Sequence, residues 1–141
     1  MEQPVVPVIK QDTVLIEDPL VKAKEMAVTI IGNFAFNSVQ LLNDEDTKIK
    51  SLSSILIKNP DIYLNITGHT DNIGSHEVNL RYGMRRALTM KQKFIEQGVP
   101  ELQLFTQSKA YDEPLVPNTT KANRAKNRRV EMKALRKNKL H

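Results

Sequence analysis

The residues best suited to chemistry lie in one stretch of this 141-residue chain, between Thr67 and Ala87. Residues 68–74 read GHTDNIG and contain Asp71, and Arg86 follows that aspartate after fifteen positions. A carboxylate and a guanidinium on neighbouring elements can form a salt bridge with each other. They can also be held apart to bind a ligand that carries both an amine and a carboxylate. The residues alone leave both alternatives open, and ion pairs between side chains are common.

Two histidines close to Asp71 raise the questions of a metal site and of catalysis. His69 and His76 have no further ligand at a suitable spacing, so we predict no metal site and no cofactor. His69, Asp71 and Glu77 could suggest a hydrolase, but no activated nucleophile accompanies them. We therefore expect no catalytic residue and no enzymatic activity, and we interpret His69 as a hydrogen-bonded packing residue.

The elements on either side of Asp71 follow from the spacing of apolar residues. Residues 62–67 alternate apolar and polar side chains, which predicts a strand with one covered face that stops at Thr67. An amphipathic helix is expected to start near Gly83 and to end at Gly98, a residue suited to a helix C-terminus. Arg86 would then lie near the first turn of this helix.

The same patterns predict the other elements. We expect a first strand at 26–31, a helix from 43 to 58, a strand from Leu102 to Thr106, a short helix ending near 126, and a last strand at 129–134. The order predicts an α+β fold, β-α-β-α-β-(α)-β. It corresponds to a two-layer sandwich with the helices packed on one face of a mixed parallel/antiparallel sheet.

The domain organisation and the charge are uneven along the chain. Proline-rich residues 1–20 indicate an extended linker, 21–136 the folded domain, and 137–141 a basic tail. Residues 121–139 hold nine Lys or Arg and one acid, which leaves 12 bases and 15 acids elsewhere. This segment suggests an alternative function as a basic module that binds nucleic acid or another polyanion. A solvated basic terminus is the commoner explanation, and we expect no nucleic-acid partner.

Five motifs in order resemble the OmpA-like C-terminal domain, a family that includes outer-membrane porin tails, peptidoglycan-associated lipoproteins and flagellar stator proteins. The motifs are the GHTDNIG stretch with Asn79, Arg86-Ala87, the NRRVE sequence of 127–131, Phe34-x-Phe36-Asn37 with Leu41, and Pro114 to Asn118-x-Thr120 ahead of Arg124. The resemblance covers roughly residues 26–135.

The resemblance implies non-catalytic binding of peptidoglycan through the diaminopimelate of the stem peptide. It implies that Asp71 meets the ligand ammonium and Arg86 its carboxylate, that Asn79 and Arg128 line the site, and that Thr70 lies beside the aspartate. It further implies a periplasmic location in the Gram-negative envelope. The domain would be attached to the outer membrane through a region that precedes residue 1.

The chain departs from the family pattern at several positions. Ala35 stands where the family often has aspartate, Gly83 stands where it usually has a serine, and Ser108 and Asn123 stand where it usually has glycines. We interpret Gly83 as a replacement for a helix cap. These changes leave Asp71 and Arg86 in place but alter the expected outline of the pocket.

Overall fold

The computed structural model of the protein describes residues 18–27, 29–31 and 43–137. Its helices are α1 (Pro19–Met26), α2 (Asn43–Lys58), α3 (His76–Glu96) and α4 (Lys121–Asn127), with a 3-10 turn at Glu101–Gln103. Its strands are β1 (Thr29–Ile31), β2 (Ile62–His69), β3 (Leu104–Ala110) and β4 (Arg129–Arg136). Residues 1–17 of the predicted linker, 138–141 of the predicted tail, and the Phe34–Leu41 motif lie outside the described residues.

The four strands form one mixed sheet in the order β1-β4-β2-β3. Strand β2 is parallel to β3 and antiparallel to β4, and β1 pairs antiparallel with β4. The last residue of β2 and the first residue of β4 therefore lie side by side, next to the loop that follows β2. In this pairing His69 lies opposite Arg129, so the residue that precedes Arg129 is brought to the Asp71 loop.

One face of the sheet and the helices share the core. Every second residue of β2, from Ile62 to Ile66, is fully buried, and the residues between are only partly so. Burying a side chain of this size stabilises the fold by roughly 1.5–3 kcal/mol. The predicted α+β class and mixed sheet are confirmed. The buried side chains that α2, α3 and β4 add to β2 are Ile49, Leu52, Leu56, Ala87, Met90, Phe94, Val130, Met132 and Ala134.

Helix α1 was not predicted, and it corrects the start of the chain. The prediction assigned Met26 to the first strand, but Met26 ends a helix and β1 spans only Thr29–Ile31. Asp18 caps the helix by accepting a hydrogen bond from the Leu20 amide, and Pro19 occupies its first position. The helix begins inside the stretch predicted as linker, and it buries Ala23 against the core.

The start of α3 was also predicted wrongly. The helix begins at His76, seven residues before Gly83, and Ser75 is its cap because the Ser75 hydroxyl accepts from the Val78 amide. Arg86 therefore lies in the middle of the helix. The apolar periodicity begins only near Met84 because the first turns of α3 are largely exposed, with Leu80 and Tyr82 on the surface.

Gly83 serves close packing of the helix on the sheet. A Cβ atom at Gly68 would lie 1.7 Å from the Gly83 carbonyl oxygen, and a Cβ at Gly83 would lie 2.2 Å from the Ser108 Oγ. The helix thus touches the end of β2 through two glycines, with the Ser108 side chain beside them. Gly83 and Ser108, two of the residues that differ from the family pattern, contact each other. Because Gly83 has no side chain, there is room for the hydroxyl of Ser108.

The remaining elements agree with the sequence patterns in type and order, but their ends differ. Strand β2 runs past Thr67 to His69, and β3 runs past Thr106 to Ala110. Leu102 was assigned to the third strand, but it lies in the 3-10 turn and is 79% exposed. The side-chain amide of the adjacent Gln103 donates to the carbonyls of Leu56, Asn59 and Ile62. These carbonyls belong to the end of α2 and the start of β2, so Gln103 ties the turn to both elements.

Candidate ligand-binding site

Asp71 sits at the start of the loop that joins β2 to α3, and both of its carboxylate oxygens are hydrogen-bonded. Oδ1 accepts from the Ile73 amide at 3.0 Å, and Oδ2 lies 2.7 Å from Nη1 of Arg128. The turn continues through Gly74, whose φ of 94° favours glycine. The Asp71 side chain is therefore held by its own loop on one side and by a guanidinium on the other.

Arg128 reaches Asp71 from the junction between α4 and β4. Its backbone amide donates to the Arg124 carbonyl at 3.2 Å, as the last contact of the short helix. The Arg128 side chain is 39% exposed and that of Asp71 only 13% exposed. The carboxylate thus lies deeper than its partner, and the guanidinium is at the opening of the site.

Arg86 is the second guanidinium of the site. Its Nη1 donates to the His69 carbonyl at 2.9 Å, at the end of β2. Burial and, to a smaller extent, the positive charge of Arg128 together lower the pKa of Arg86 to about 10, although the negative charge of Asp71 opposes them. The side chain stays protonated at neutral pH. The structure therefore brings Asp71, Arg86 and Arg128 within electrostatic range of one another.

Asn79 and Thr70 hold the backbone around Asp71. The Asn79 side-chain amide donates to the carbonyls of Ile73 at 2.8 Å and Ser75 at 2.9 Å, and this side chain is buried. The Thr70 hydroxyl donates to the Asp71 carbonyl, and the Thr70 amide donates to the Ala110 carbonyl at the end of β3. In this structure both side chains fix the shape of the loop.

Asn127 and Arg129, on either side of Arg128, are buried and anchored. The Asn127 side chain accepts from the amides of Leu115 and Val116 and donates to the Val116 carbonyl and the Asn118 side chain. The guanidinium of Arg129 bonds to the Glu131 carboxylate and the Glu113 carbonyl. Arg129 is therefore a buried structural residue, whereas Arg128 next to it reaches the Asp71 loop. The sequence signal that could have shown this is Glu131, two residues along the same strand face.

His69 is buried on the side of β2 opposite to the core. Among the described residues, neither ring nitrogen has a hydrogen-bond partner, and Nε2 lies 3.8 Å from the Glu131 carboxylate. The predicted hydrogen-bonded packing role is thus only half right, because the ring is packed but makes no hydrogen bond. Burial lowers the pKa of His69, and the neighbouring Arg129 lowers it further, so the ring is neutral at pH 7.

The described residues also bear on a metal site and on a membrane-spanning helix. Within 18–27, 29–31 and 43–137, no group of three or more His, Cys, Asp or Glu side chains is placed to hold a metal ion. His76 contacts the Asp112 carboxylate at 2.8 Å. In the same described ranges, no helix has the length and apolar character needed to cross a membrane.

Fold and site together define a class, a small α+β domain that presents one carboxylate and two guanidinium groups at the end of a mixed sheet. The model of the OmpA family matches residues 33–128, which is more than half of the chain. The chain therefore belongs to the OmpA family, as its motifs predict.

Individual relatives and solved structures agree with this assignment. Outer membrane protein Omp38 of Acinetobacter baumannii is 29% identical over 133 residues, which cover 91% of this chain and 37% of that protein. Peptidoglycan-binding protein ArfA of Mycobacterium tuberculosis is 32% identical over 93 residues, which cover 66% of this chain and 26% of that protein. The chain thus spans well under half the length of these relatives.

The solved structures confirm the fold. The peptidoglycan-associated lipoprotein from Burkholderia pseudomallei superposes with a TM-score of 0.73 at 25% identity, over 84% of this chain and all of that one. The C-terminal domain of Helicobacter pylori MotB gives a TM-score of 0.64 at 25% identity, over 77% of this chain and 84% of that one.

Proposed function

We propose that this domain binds peptidoglycan without catalysis, through the diaminopimelate of the stem peptide. The observation that carries the proposal is the grouping of Asp71, Arg86 and Arg128 at one end of the sheet. An amino-acid centre presents an ammonium and a carboxylate a few ångström apart, and it needs opposite charges at a similar separation. The family, and the printed name of the ArfA relative, point to the same polymer.

In this arrangement Asp71 receives the ligand ammonium and Arg86 the carboxylate. Arginine suits a carboxylate because its planar fork donates two parallel hydrogen bonds, which lysine cannot do. A hydrogen bond to a charged group contributes about 1.5–3 kcal/mol. Two or three such bonds give affinities on the order of millimolar to micromolar. Weak single contacts suffice for attachment to a polymer that repeats the same ligand many times.

The biological setting belongs to the same proposal. A domain of this kind in the periplasm would anchor the outer membrane, or an attached domain, to the cell wall. The names of the outer-membrane relatives support this location. The alternative polyanion-binding function of residues 121–139 has less support. Three arginines of that segment already contact carboxylates: Arg128 with Asp71, Arg129 with Glu131, and Arg136 with Asp18 and Asp61.

Sedimentation with purified peptidoglycan tests the proposal. We expect the wild-type domain to be retained and the variants Asp71→Asn and Arg86→Ala to remain in the supernatant. Each loses a charge-assisted contact, so binding should fall at least about tenfold. Arg85→Ala and Asp112→Asn are matched controls, because they remove an exposed arginine beside Arg86 and an exposed aspartate near the loop. Equal retention of all five proteins would contradict the proposal.

Binding to two types of peptidoglycan tests separately whether diaminopimelate is the recognised group. A polymer with lysine at the third stem position offers the side-chain ammonium without the adjacent carboxylate. We expect retention on diaminopimelate-containing polymer and little retention on the lysine type. Equal binding to both would leave peptidoglycan as the ligand and reject diaminopimelate as the recognised group.

A further inference from the structure

The Arg128 guanidinium lies at the position proposed for the ligand ammonium. The Arg128 guanidinium lies 2.7 Å from Asp71 Oδ2, while Oδ1 of the same carboxylate accepts from the Ile73 amide. A ligand ammonium can therefore reach the carboxylate only by displacing Arg128 or by sharing Oδ2 with it. The pair is open on the outer side, because the guanidinium is partly exposed.

We propose that Arg128 acts as an internal latch that exchanges partners when the ligand binds, from the Asp71 carboxylate to the ligand carboxylate. The inference rests on the proposed function, because it assigns the selectivity of that same site. Before binding, Asp71 is paired with Arg128. Afterwards Asp71 is paired with the ligand ammonium, and the ligand carboxylate is shared by Arg86 and Arg128.

The charges around Asp71 give this exchange its selectivity. Two guanidinium groups and one carboxylate leave the site with an excess of positive charge, and the positive charge of Arg128 lowers the pKa of Arg86. A ligand with only an ammonium would break the Asp71–Arg128 pair and leave Arg128 beside Arg86 without a counter-charge. A zwitterionic ligand supplies that counter-charge. The latch therefore rejects amines that lack a neighbouring carboxylate.

The backbone around Arg128 allows the side chain to move alone. Its amide is fixed to the Arg124 carbonyl, and its neighbours Asn127 and Arg129 are buried and hydrogen-bonded. The exchange consequently requires side-chain rotation at the surface, which is fast, and no rearrangement of α4 or β4.

Nuclear magnetic resonance titrations with two small probes test the latch. The probes are meso-diaminopimelate and 1,5-diaminopentane, which has the same chain of carbons between its amines and no carboxylate. Each is titrated into the wild type, Arg128→Gln and the control Lys126→Gln. The control removes one exposed positive charge from α4 without touching Asp71.

In Arg128→Gln we expect the preference for diaminopimelate over the diamine to fall at least about tenfold, because Asp71 is freed and one carboxylate contact is lost. The diamine itself should bind more tightly than to the wild type, and Lys126→Gln should keep the wild-type preference. An Arg128→Gln variant that binds the diamine no better than the wild type would overturn the latch. If the wild type binds neither diaminopimelate nor peptidoglycan, the proposed function fails, and the latch mechanism fails with it.

A second measurement observes the latch without any ligand. The paired guanidinium of Arg128 should show restricted rotation in the wild type, seen as separate resonances of its two terminal nitrogens, and free rotation in Asp71→Asn. Free rotation of Arg128 in the wild type would reject the latch even if the domain binds peptidoglycan.

Discussion

Asn79 and His69 are both buried polar residues near the site, but they differ in whether their side chains are hydrogen-bonded. Asn79 uses both hydrogens of its amide for the carbonyls of the Asp71 loop, so its burial stabilises the loop. His69 is buried, and neither of its ring nitrogens has a hydrogen-bond partner in the part of the chain that the structure describes. The backbone carbonyl of this histidine nevertheless holds Arg86, so the residue belongs to the support of the site through its main chain.

At the residue scale, the buried ring of His69 predicts a pH dependence of stability. Its pKa is lowered by burial and by Arg129, while Glu131 opposes the change; Glu113 also raises this pKa and Lys109 lowers it. The unfolded chain binds a proton at this residue below about pH 6.5, whereas the folded protein does so only at lower pH. The unfolded state then holds more protons, so the free energy of unfolding falls as the pH falls below about 6.5.

Urea denaturation at several pH values checks this expectation. Other groups titrate as well, so the wild type is compared with His69→Gln, in which the titrating ring is absent. We expect the difference in free energy of unfolding between the two proteins to change between about pH 5 and 7, with the wild type losing more stability on acidification. A difference that is constant over this range would show that His69 has the same pKa in the folded and unfolded states.

At the element scale, the position of α3 on the sheet depends on the contact between Gly68, Gly83 and Ser108. Adding a methyl group at Gly83 places it 2.2 Å from the Ser108 hydroxyl and 2.9 Å from the Gly68 carbonyl. The helix would have to move outward, and it carries Arg86 less than one turn further along. This contact is therefore coupled to the geometry of the site.

The variant Gly83→Ala should lower the free energy of unfolding by about 1–3 kcal/mol, the usual cost of overpacking. The double variant with Ser108→Gly should recover part of the loss, because the closer of the two clashes is removed while the contact with the Gly68 carbonyl remains. Urea denaturation of the wild type, both single variants and the double variant forms a complete cycle. Additive effects would contradict the direct contact between positions 83 and 108.

At the scale of the whole molecule, α1 extends the domain on its N-terminal side. Ala23 is fully buried, and Leu20, Met26 and Ala27 pack against the same core. Arg136 at the end of β4 contacts Asp18 and Asp61, and thereby ties the start of α1 to the start of β2. Hydrogen bonding to Arg136 lowers the pKa of Asp18 to about 2.

Deleting the chain before residue 28 should therefore destabilise the domain by several kcal/mol, since burial of each apolar side chain is worth roughly 1.5–3 kcal/mol at most. A chain that starts at Asp18 keeps the cap and the helix, so it is the matched control for the shorter chain. Urea denaturation of the two truncated proteins checks this, and the shorter one should unfold at lower urea. Equal midpoints would show that α1 adds no stability.

The patterns in the amino-acid sequence were enough to predict the fold class and the order of most elements. The alternation in β2 and the apolar spacing that predicted the other elements are local signals, which can be read without knowing the tertiary structure. The motifs around Asp71, Arg86 and Arg128 carried the family, which the match over residues 33–128 confirms. The binding roles of Asp71, Arg86, Asn79, Arg128 and Thr70 remain predictions.

Other features depend on burial and on contacts between residues that are far apart in the sequence, so local patterns did not predict them. The early turns of α3 are too exposed to show apolar periodicity, so the helix start was misplaced, and α1 is too short and polar to stand out. The role of Gly83 depends on Gly68 and Ser108, which lie on two other elements. The partner of Asp71 depends on the antiparallel register of β2 and β4. This register brings Arg128 beside Asp71, although the two residues are 57 positions apart in the sequence. Pairing between distant charges is set by that register, and no spacing along the chain encodes it.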